Sequence, residues 1–133
     1  AMTAAMLYPN RKVMAICGDG GFMMNSQELE TAVRLKLNLV VLILNDSSYG
    51  MIRWKQAGMG FKDWGLKYNN PDFSMYAKSY GVTPHKILEN DSLPLVIDEA
   101  FNAGGVHLID LPVDYTDNVK NLISDLAEHE PVI

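Results

Sequence analysis

Two aspartates define the chemistry this chain can do. They are Asp19, inside Gly18-Asp19-Gly20-Gly21, and Asp46, inside Asn45-Asp46-Ser47-Ser48-Tyr49-Gly50-Met51. Each follows a short apolar run, Val13 to Cys17 or Leu39 to Leu44, and they lie 27 positions apart (46 − 19). Glycines on either side of Asp19 let the backbone approach a ligand closely, and the amides of such a turn suit phosphate oxygens. A carboxylate in the same turn repels phosphate unless a divalent cation lies between them. Mg²⁺ binds through one or two carboxylates together with ligand phosphates and water. Asp46 then supplies the second carboxylate, and Asn45, Ser47 and Ser48 add amide, hydroxyl and carbonyl oxygens to an octahedral shell. The bland alternative is a tight strand-to-helix turn at Gly18 to Gly21 with Asp46 as a capping residue. The dinucleotide-binding fingerprint is not met, because Phe22 and Met23 occupy the positions leading to its third glycine.

These residues need a scaffold that brings two strand ends to one edge. Two short apolar runs ending in turn residues, with an amphipathic stretch between them, predict parallel strands joined by a crossover helix. Lys12 to Cys17 reads as the first strand. The helix is expected to start at Asn25, with Asn25 and Glu28 forming a capping box and Leu29, Ala32, Val33 and Leu37 on its buried face. Leu39 to Leu44 is apolar throughout, as in a strand covered on both sides. Tyr49 to Gln56 reads as a helix, and residues 58 to 71, punctuated by glycines, as a mobile or induced loop. Asp72 caps a helix through Phe73, Tyr76, Ala77 and Tyr80, and Val82 to Leu88 is a short edge strand carrying Pro84. A further helix starts at Ser92 or Leu93 with Leu95, Val96, Ala100 and Phe101 facing the core. Val106 to Leu111 is another strand, and Thr116 or Asp117 opens a C-terminal helix bearing Val119, Leu122, Ile123 and Leu126. The alternation predicts an α/β fold, a doubly wound, mostly parallel sheet with helices on both faces.

Composition bounds the rest. The 133 residues are 48% apolar and 20% charged, which suits a single domain spanning residues 1–133, and the net charge of −5 argues against nucleic-acid binding. The opening stretch from Ala1 to Tyr8 reads as the last turns of a helix without an N-cap, as expected of a fragment of a longer protein. No apolar run has the length of a membrane span, and the single cysteine, Cys17, leaves no disulfide framework; a cytoplasmic setting is expected. Cys17 reads as a buried inert thiol. His85, His107 and His129 are too separated in sequence to suggest a transition-metal site. The methionines read as core filling, and Phe61, Trp64 and Tyr68 as an exposed aromatic set. Glu28 and Glu30 read as a cap and a solvated face.

Gly18-Asp19-Gly20 followed some two dozen residues later by Asn45-Asp46 resembles the thiamine diphosphate fingerprint. The string from Gly20 to Arg34, and Pro112-Val113-Asp114-Tyr115, are similar to the acetolactate synthase branch. The resemblance covers essentially the whole chain as a pyrophosphate-binding domain, and implies the thiamine diphosphate-binding fold. It implies that Asp19, Asp46 and the Ser48 carbonyl ligate Mg²⁺. Gly18, Gly20 and Gly21 hold the diphosphate, with Tyr49, Gly50 and Met51 closing over it and Trp54 bordering the substrate channel. Asp46 stands where many relatives have asparagine, so its extra charge should tighten divalent binding. The implied reaction decarboxylates pyruvate and joins the remainder to a second 2-oxo acid. The family's activating glutamate belongs to a pyrimidine-binding domain, normally from another subunit of a homo-oligomer. No catalytic residue is therefore assigned here, and the chain alone is expected to be inactive. Two alternatives remain at this stage: a related 2-oxo acid decarboxylase or oxidase, and a non-enzymatic flavodoxin-like nucleotide-binding module.

Overall fold

A computed structural model describes residues 1–88 and 92–115. The C-terminal helix expected from Thr116 or Asp117 lies outside the described residues, as does His129. Four strands form one sheet in the order β1-β2-β4-β3: β1 (Met14–Gly18), β2 (Leu39–Asn45), β3 (Thr83–Lys86) and β4 (Val106–Pro112). All three pairings are parallel, with Gly18 opposite Leu44 and Asn45 opposite Pro112. The carboxyl ends of β1, β2 and β4 therefore share one edge. The inner strands β2 and β4 are the apolar ones, and Ile43, Leu108 and Ile109 are fully enclosed. Pro84 sits in the edge strand β3, where its missing donor costs least.

Helices cover both faces, as a doubly wound sheet requires. On one face α1 (Met2–Leu7), α2 (Asp19–Met24), α3 (Glu28–Arg34) and α5 (Phe73–Ser79) bury Ala5, Phe22, Leu29, Ala32, Phe73 and Ala77. The Phe22 and Phe73 rings meet edge to face at 5.7 Å and lock α2 to α5. On the other face α6 (Leu93–Ala103) buries Ala100 and packs Leu93, Val96, Ile97 and Phe101. The face of α6 differs from expectation: Leu95 is 74% exposed, because the 3–4 spacing that fits the sheet runs through Leu93, Val96, Ile97 and Ala100. No helix among the described residues is long and apolar enough to cross a membrane.

The crossover between β1 and β2 also departs from the expected single helix. The chain turns helical at Asp19, so Gly18 is the N-cap and Asp19, Gly20 and Gly21 form the first turn of α2 rather than a loop. Asn25 ends that helix instead of capping one, and α3 begins at Glu28 without a side-chain cap. Ser26, buried between the two, hydrogen-bonds Tyr76 on α5 at 2.7 Å and so fixes the kink. Glu30 pairs with Arg34 on the solvated face. Asp72 caps α5 as expected, its carboxylate accepting the Met75 amide at 2.9 Å.

Three side-chain expectations are corrected. The methionines are largely superficial: Met6, Met24, Met51, Met59 and Met75 all lie more than half exposed; on α1, α2 and α5 the inward apolar positions are taken by Ala5, Phe22, Phe73 and Ala77, while the helix from Gly50 to Gly58, which carries Met51, buries no side chain. Tyr68 leaves the exposed aromatic set, because its ring packs on Tyr49 at 4.7 Å; Phe61 and Trp64 do remain exposed. His85 and His107 are neighbours, since the β3–β4 register, with Thr83 opposite His107 and His85 opposite Ile109, sets them diagonally on one face of the sheet, with Nε2 of His85 2.9 Å from Nδ1 of His107. Cys17 is half-buried, and that burial pushes its thiol up, in keeping with an inert role.

The histidine pair makes the fold pH-sensitive. His107 Nε2 donates to the Gly104 carbonyl, so its Nδ1 accepts from His85 in the neutral pair. Burial, then His107, hold the His85 imidazole below its ordinary value, with Glu99 pulling the other way. The unfolded chain therefore takes up this proton first. Stability is lost as pH falls through the unfolded value of about 6.5 toward the lower folded one, and levels off beneath it. Thermal unfolding between about pH 7.5 and 5 should show this slope in the wild type and a flatter one in His85→Gln; equal slopes would contradict it.

Candidate cofactor site

The site grows from Asp19. A carboxylate that is 1% exposed must be met by donors, and three are in place. Oδ1 accepts the Gly20 amide at 2.9 Å; Oδ2 accepts the Ser47 amide at 2.8 Å and the Asn70 side-chain amide at 2.6 Å. Ser47 reaches Asp19 from a left-handed backbone with φ of 52°, an unfavourable conformation for a residue with a side chain. The turn after β2 is thus bent to aim an N–H at the end of β1. Two lone-pair positions per oxygen leave the carboxylate room for a further partner.

Asp46 sits across the cleft from Asp19. Burial, then the Asp19 charge, raise its carboxyl above the ordinary value, while the backbone amides of Ser48 and Asp46 and the Arg53 guanidinium pull it down. The same two aspartates, after burial, push the Tyr115 phenol up. Tyr68, whose hydroxyl donates to the Ser48 carbonyl at 3.4 Å, is pushed up by burial and by Asp19. Negative charge is concentrated at this edge. The Ser48 hydroxyl is buried there with no hydrogen-bond partner.

All nine residues expected to hold a cofactor line one cleft of about 430 Å³: Gly18, Asp19, Gly20, Gly21, Asp46, Ser48, Tyr49, Gly50 and Met51. Trp54 and Tyr115 complete its wall, their rings meeting edge to face at 5.8 Å. The glycines serve different ends. Gly18 and Gly21 have open space where a side chain would project, so ligand atoms can reach the backbone. At Gly20 a Cβ would lie 2.8 Å from Tyr49 Cε1 and from the Tyr68 hydroxyl, and at Gly50 one would lie 3.1 Å from Asp46 Oδ2.

Asn45 and Ser47, expected to add oxygens to the shell, are hydrogen-bonded to one another and to Asn70 and Asp110. Asn45 spends its amide on Asp110 Oδ1 at 2.9 Å, and its Oδ1 accepts from Asn70 at 2.9 Å and from the Ser47 hydroxyl at 3.4 Å. Among the described residues no three His, Cys, Asp or Glu side chains gather around a metal position. The groups at the cleft with acceptor capacity to spare are the two carboxylates, the Ser48 carbonyl, which also accepts from Tyr68, and the unpartnered Ser48 hydroxyl. Two mutually repelling carboxylates, an unpartnered hydroxyl and open glycine backbone fit a hard divalent cation that carries phosphate oxygens.

Sequence reasoning missed Asn70, Tyr68 and Tyr115. Asn70 is 51 positions from Asp19, and no local spacing links them. The stretch that carries Asn70 and Tyr68 follows α4 (Gly50–Gly58) and is irregular but anchored, with Leu66 buried and Lys67 bridged to Ser48.

A family model described as thiamine pyrophosphate enzyme, C-terminal TPP binding domain, matches residues 1–111. The chain belongs to that family. This thiamine pyrophosphate enzyme domain is 41% identical over 130 residues to acetolactate synthase of Bacillus subtilis, covering 98% of this chain and 23% of that protein. It is 33% identical over 140 residues to acetolactate synthase isozyme 2 large subunit of Escherichia coli, covering 100% of this chain and 25% of that protein. A solved structure, the thiamine diphosphate-dependent 4-hydroxybenzoylformate decarboxylase of Rhodococcus jostii, superposes with a TM-score of 0.80 at 26% identity, over 86% of this chain and 22% of the other. The chain thus spans about a quarter of the length of these relatives. Family membership displaces the flavodoxin-like alternative.

Close packing at Gly20 yields a direct test. Gly20→Ala should lower unfolding stability by about 1–3 kcal/mol, because the Tyr49 ring must move. Gly21→Ala, helical and unobstructed, should be neutral or stabilising by up to about 1 kcal/mol. Urea denaturation of both variants checks the contrast, and equal effects would contradict it.

Proposed function

We propose that this chain is the Mg²⁺–thiamine diphosphate-binding domain of a longer acetolactate synthase-like carboligase, acting on pyruvate and a second 2-oxo acid in the cytoplasm. The observation that carries the reading is the convergence of Asp19, Asp46, Ser48 and the open glycines on one cleft at the carboxyl edge of a parallel sheet. Asp19, Asp46 and the Ser48 carbonyl hold the cation. Gly18, Gly20 and Gly21 receive the diphosphate, and Tyr49, Gly50 and Met51 border it. When bound, thiamine diphosphate supplies the electron sink for loss of CO₂ from a 2-oxo acid and transfer of the remaining acyl unit.

The chain's own contribution is binding and orientation. The rigid Asp19 carboxylate and the short β2 turn fix where the cation rests. Trp54 and Tyr115 form an apolar wall that limits water on the open side of the cleft. No residue of this chain is assigned a proton-transfer role; that belongs to a glutamate on a pyrimidine-binding domain of another subunit in a homo-oligomer. A second reading, simple decarboxylation of a 2-oxo acid, is favoured by the likeness to the Rhodococcus decarboxylase. Acetolactate against free aldehyde as the product of the longer enzyme separates the two.

Calorimetry of the 133-residue chain should show thiamine diphosphate binding with Mg²⁺ and none with a chelator, together with no consumption of pyruvate. Cation-independent binding would contradict the site assignment, and turnover by the chain alone would contradict the division of labour between domains.

A further inference from the structure

Asn70 closes the irregular stretch after α4, just ahead of Pro71 and the Asp72 cap of α5. Its amide nitrogen is surrounded by oxygens: Asp19 Oδ2 at 2.6 Å, Asn45 Oδ1 at 2.9 Å and Ser47 Oγ at 3.5 Å. A primary amide has two hydrogens, and the two short contacts use both. The orientation is forced, since exchanging the amide oxygen and nitrogen would place an oxygen 2.6 Å from a carboxylate oxygen. The cost of this orientation is visible on the other side of the group. Asn70 Oδ1 is buried without a hydrogen-bond partner.

Both acceptors are anchored from behind. Asn45 donates to Asp110 Oδ1 at 2.9 Å, and Asp110 lies buried on β4. Asp19 also holds the amides of Gly20 and Ser47. A continuous chain of hydrogen bonds therefore runs from Asp110 through Asn45 and Asn70 to Asp19. It ties β4, β2, the segment before α5 and the start of α2 to one carboxylate. A rotation that carries Asp19 Oδ2 away from Asn70 breaks this 2.6 Å contact.

We propose that Asn70 is a positioning residue for the cation site: its amide sets the plane of the Asp19 carboxylate and couples the stretch from Phe61 to Asn70 to the ion. This rests on the reading of Asp19 and Asp46 as the cation's carboxylates. Asn70 does not touch the cation or the substrate; it acts through Asp19.

Mn²⁺ titrated into the full chain, with free ion followed by electron paramagnetic resonance, tests both levels. Asp19→Ala should abolish binding, Asn70→Ala should weaken it about tenfold because an Asp19 carboxylate no longer held in one plane must be ordered by the ion itself, and Asn69→Ala should stay within twofold. The spectrum of bound Mn²⁺, which reports the symmetry of its oxygen shell, should change in Asn70→Ala and not in Asn69→Ala. Far-UV circular dichroism establishes that each variant folds. Asn70→Ser, whose side chain is too short to bridge Asp19 and Asn45, replaces Asn70→Ala if the latter does not fold. Wild-type affinity and spectrum in the Asn70 variant, with binding lost in Asp19→Ala, would overturn the positioning role and leave the cation site standing. Binding undetectable in the wild type, or unchanged in Asp19→Ala, would overturn the cation site and this role with it.

Discussion

The structure depends on holding one buried carboxylate, that of Asp19, still. Asp19 has almost no contact with solvent, and an unmet carboxylate there would be prohibitive. Three donors from three parts of the chain meet it: the start of α2, the turn after β2 and the segment before α5. Each constrains its own backbone. Ser47 takes a left-handed conformation, Asn70 leaves its side-chain oxygen unpaired, and Gly20 has no room for a side chain unless the Tyr49 ring moves. Local strain of this kind gathers where geometry is required by a ligand rather than by the core.

The parallel sheet makes that gathering possible. Strands β1 and β2 run side by side with Gly18 opposite Leu44, so both aspartates emerge at one edge. The layers beneath are ordinary in their physics: apolar inner strands, and an aromatic lock between Phe22 and Phe73. They hold α2 against the sheet, so its first turn points into the cleft. Rigidity comes from the core, and chemistry from what the core places at its rim.

Much of this was legible because hydrophobic period and turn residues act locally. The order of strands and helices, the burial of Leu39 to Ile43, the Asp72 cap and the placing of Asp19 and Asp46 at neighbouring strand ends follow from such signals, whereas the full set of nine cleft residues rested on the family resemblance. The start of the crossover helix was misplaced because Asn25 and Glu28 carry a capping pattern, while the actual start at Asp19 is set by a distant network. Asn70, Tyr68 and the His85–His107 pair are created by tertiary contact, and no spacing rule reaches them. The methionines illustrate the converse: apolar composition placed them inside, while packing left most of them on outward faces.

Backbone amide NMR of the chain, recorded as Mg²⁺ and thiamine diphosphate are added together, tests the central claim most directly. The account predicts that the largest shifts fall on Gly18 to Gly21, Asp46 to Met51 and Asn70. Shifts centred instead at the opposite end of the sheet, around Arg11, Asn38 and Gly104, where a second cleft opens, or none at saturating ligand, would contradict it.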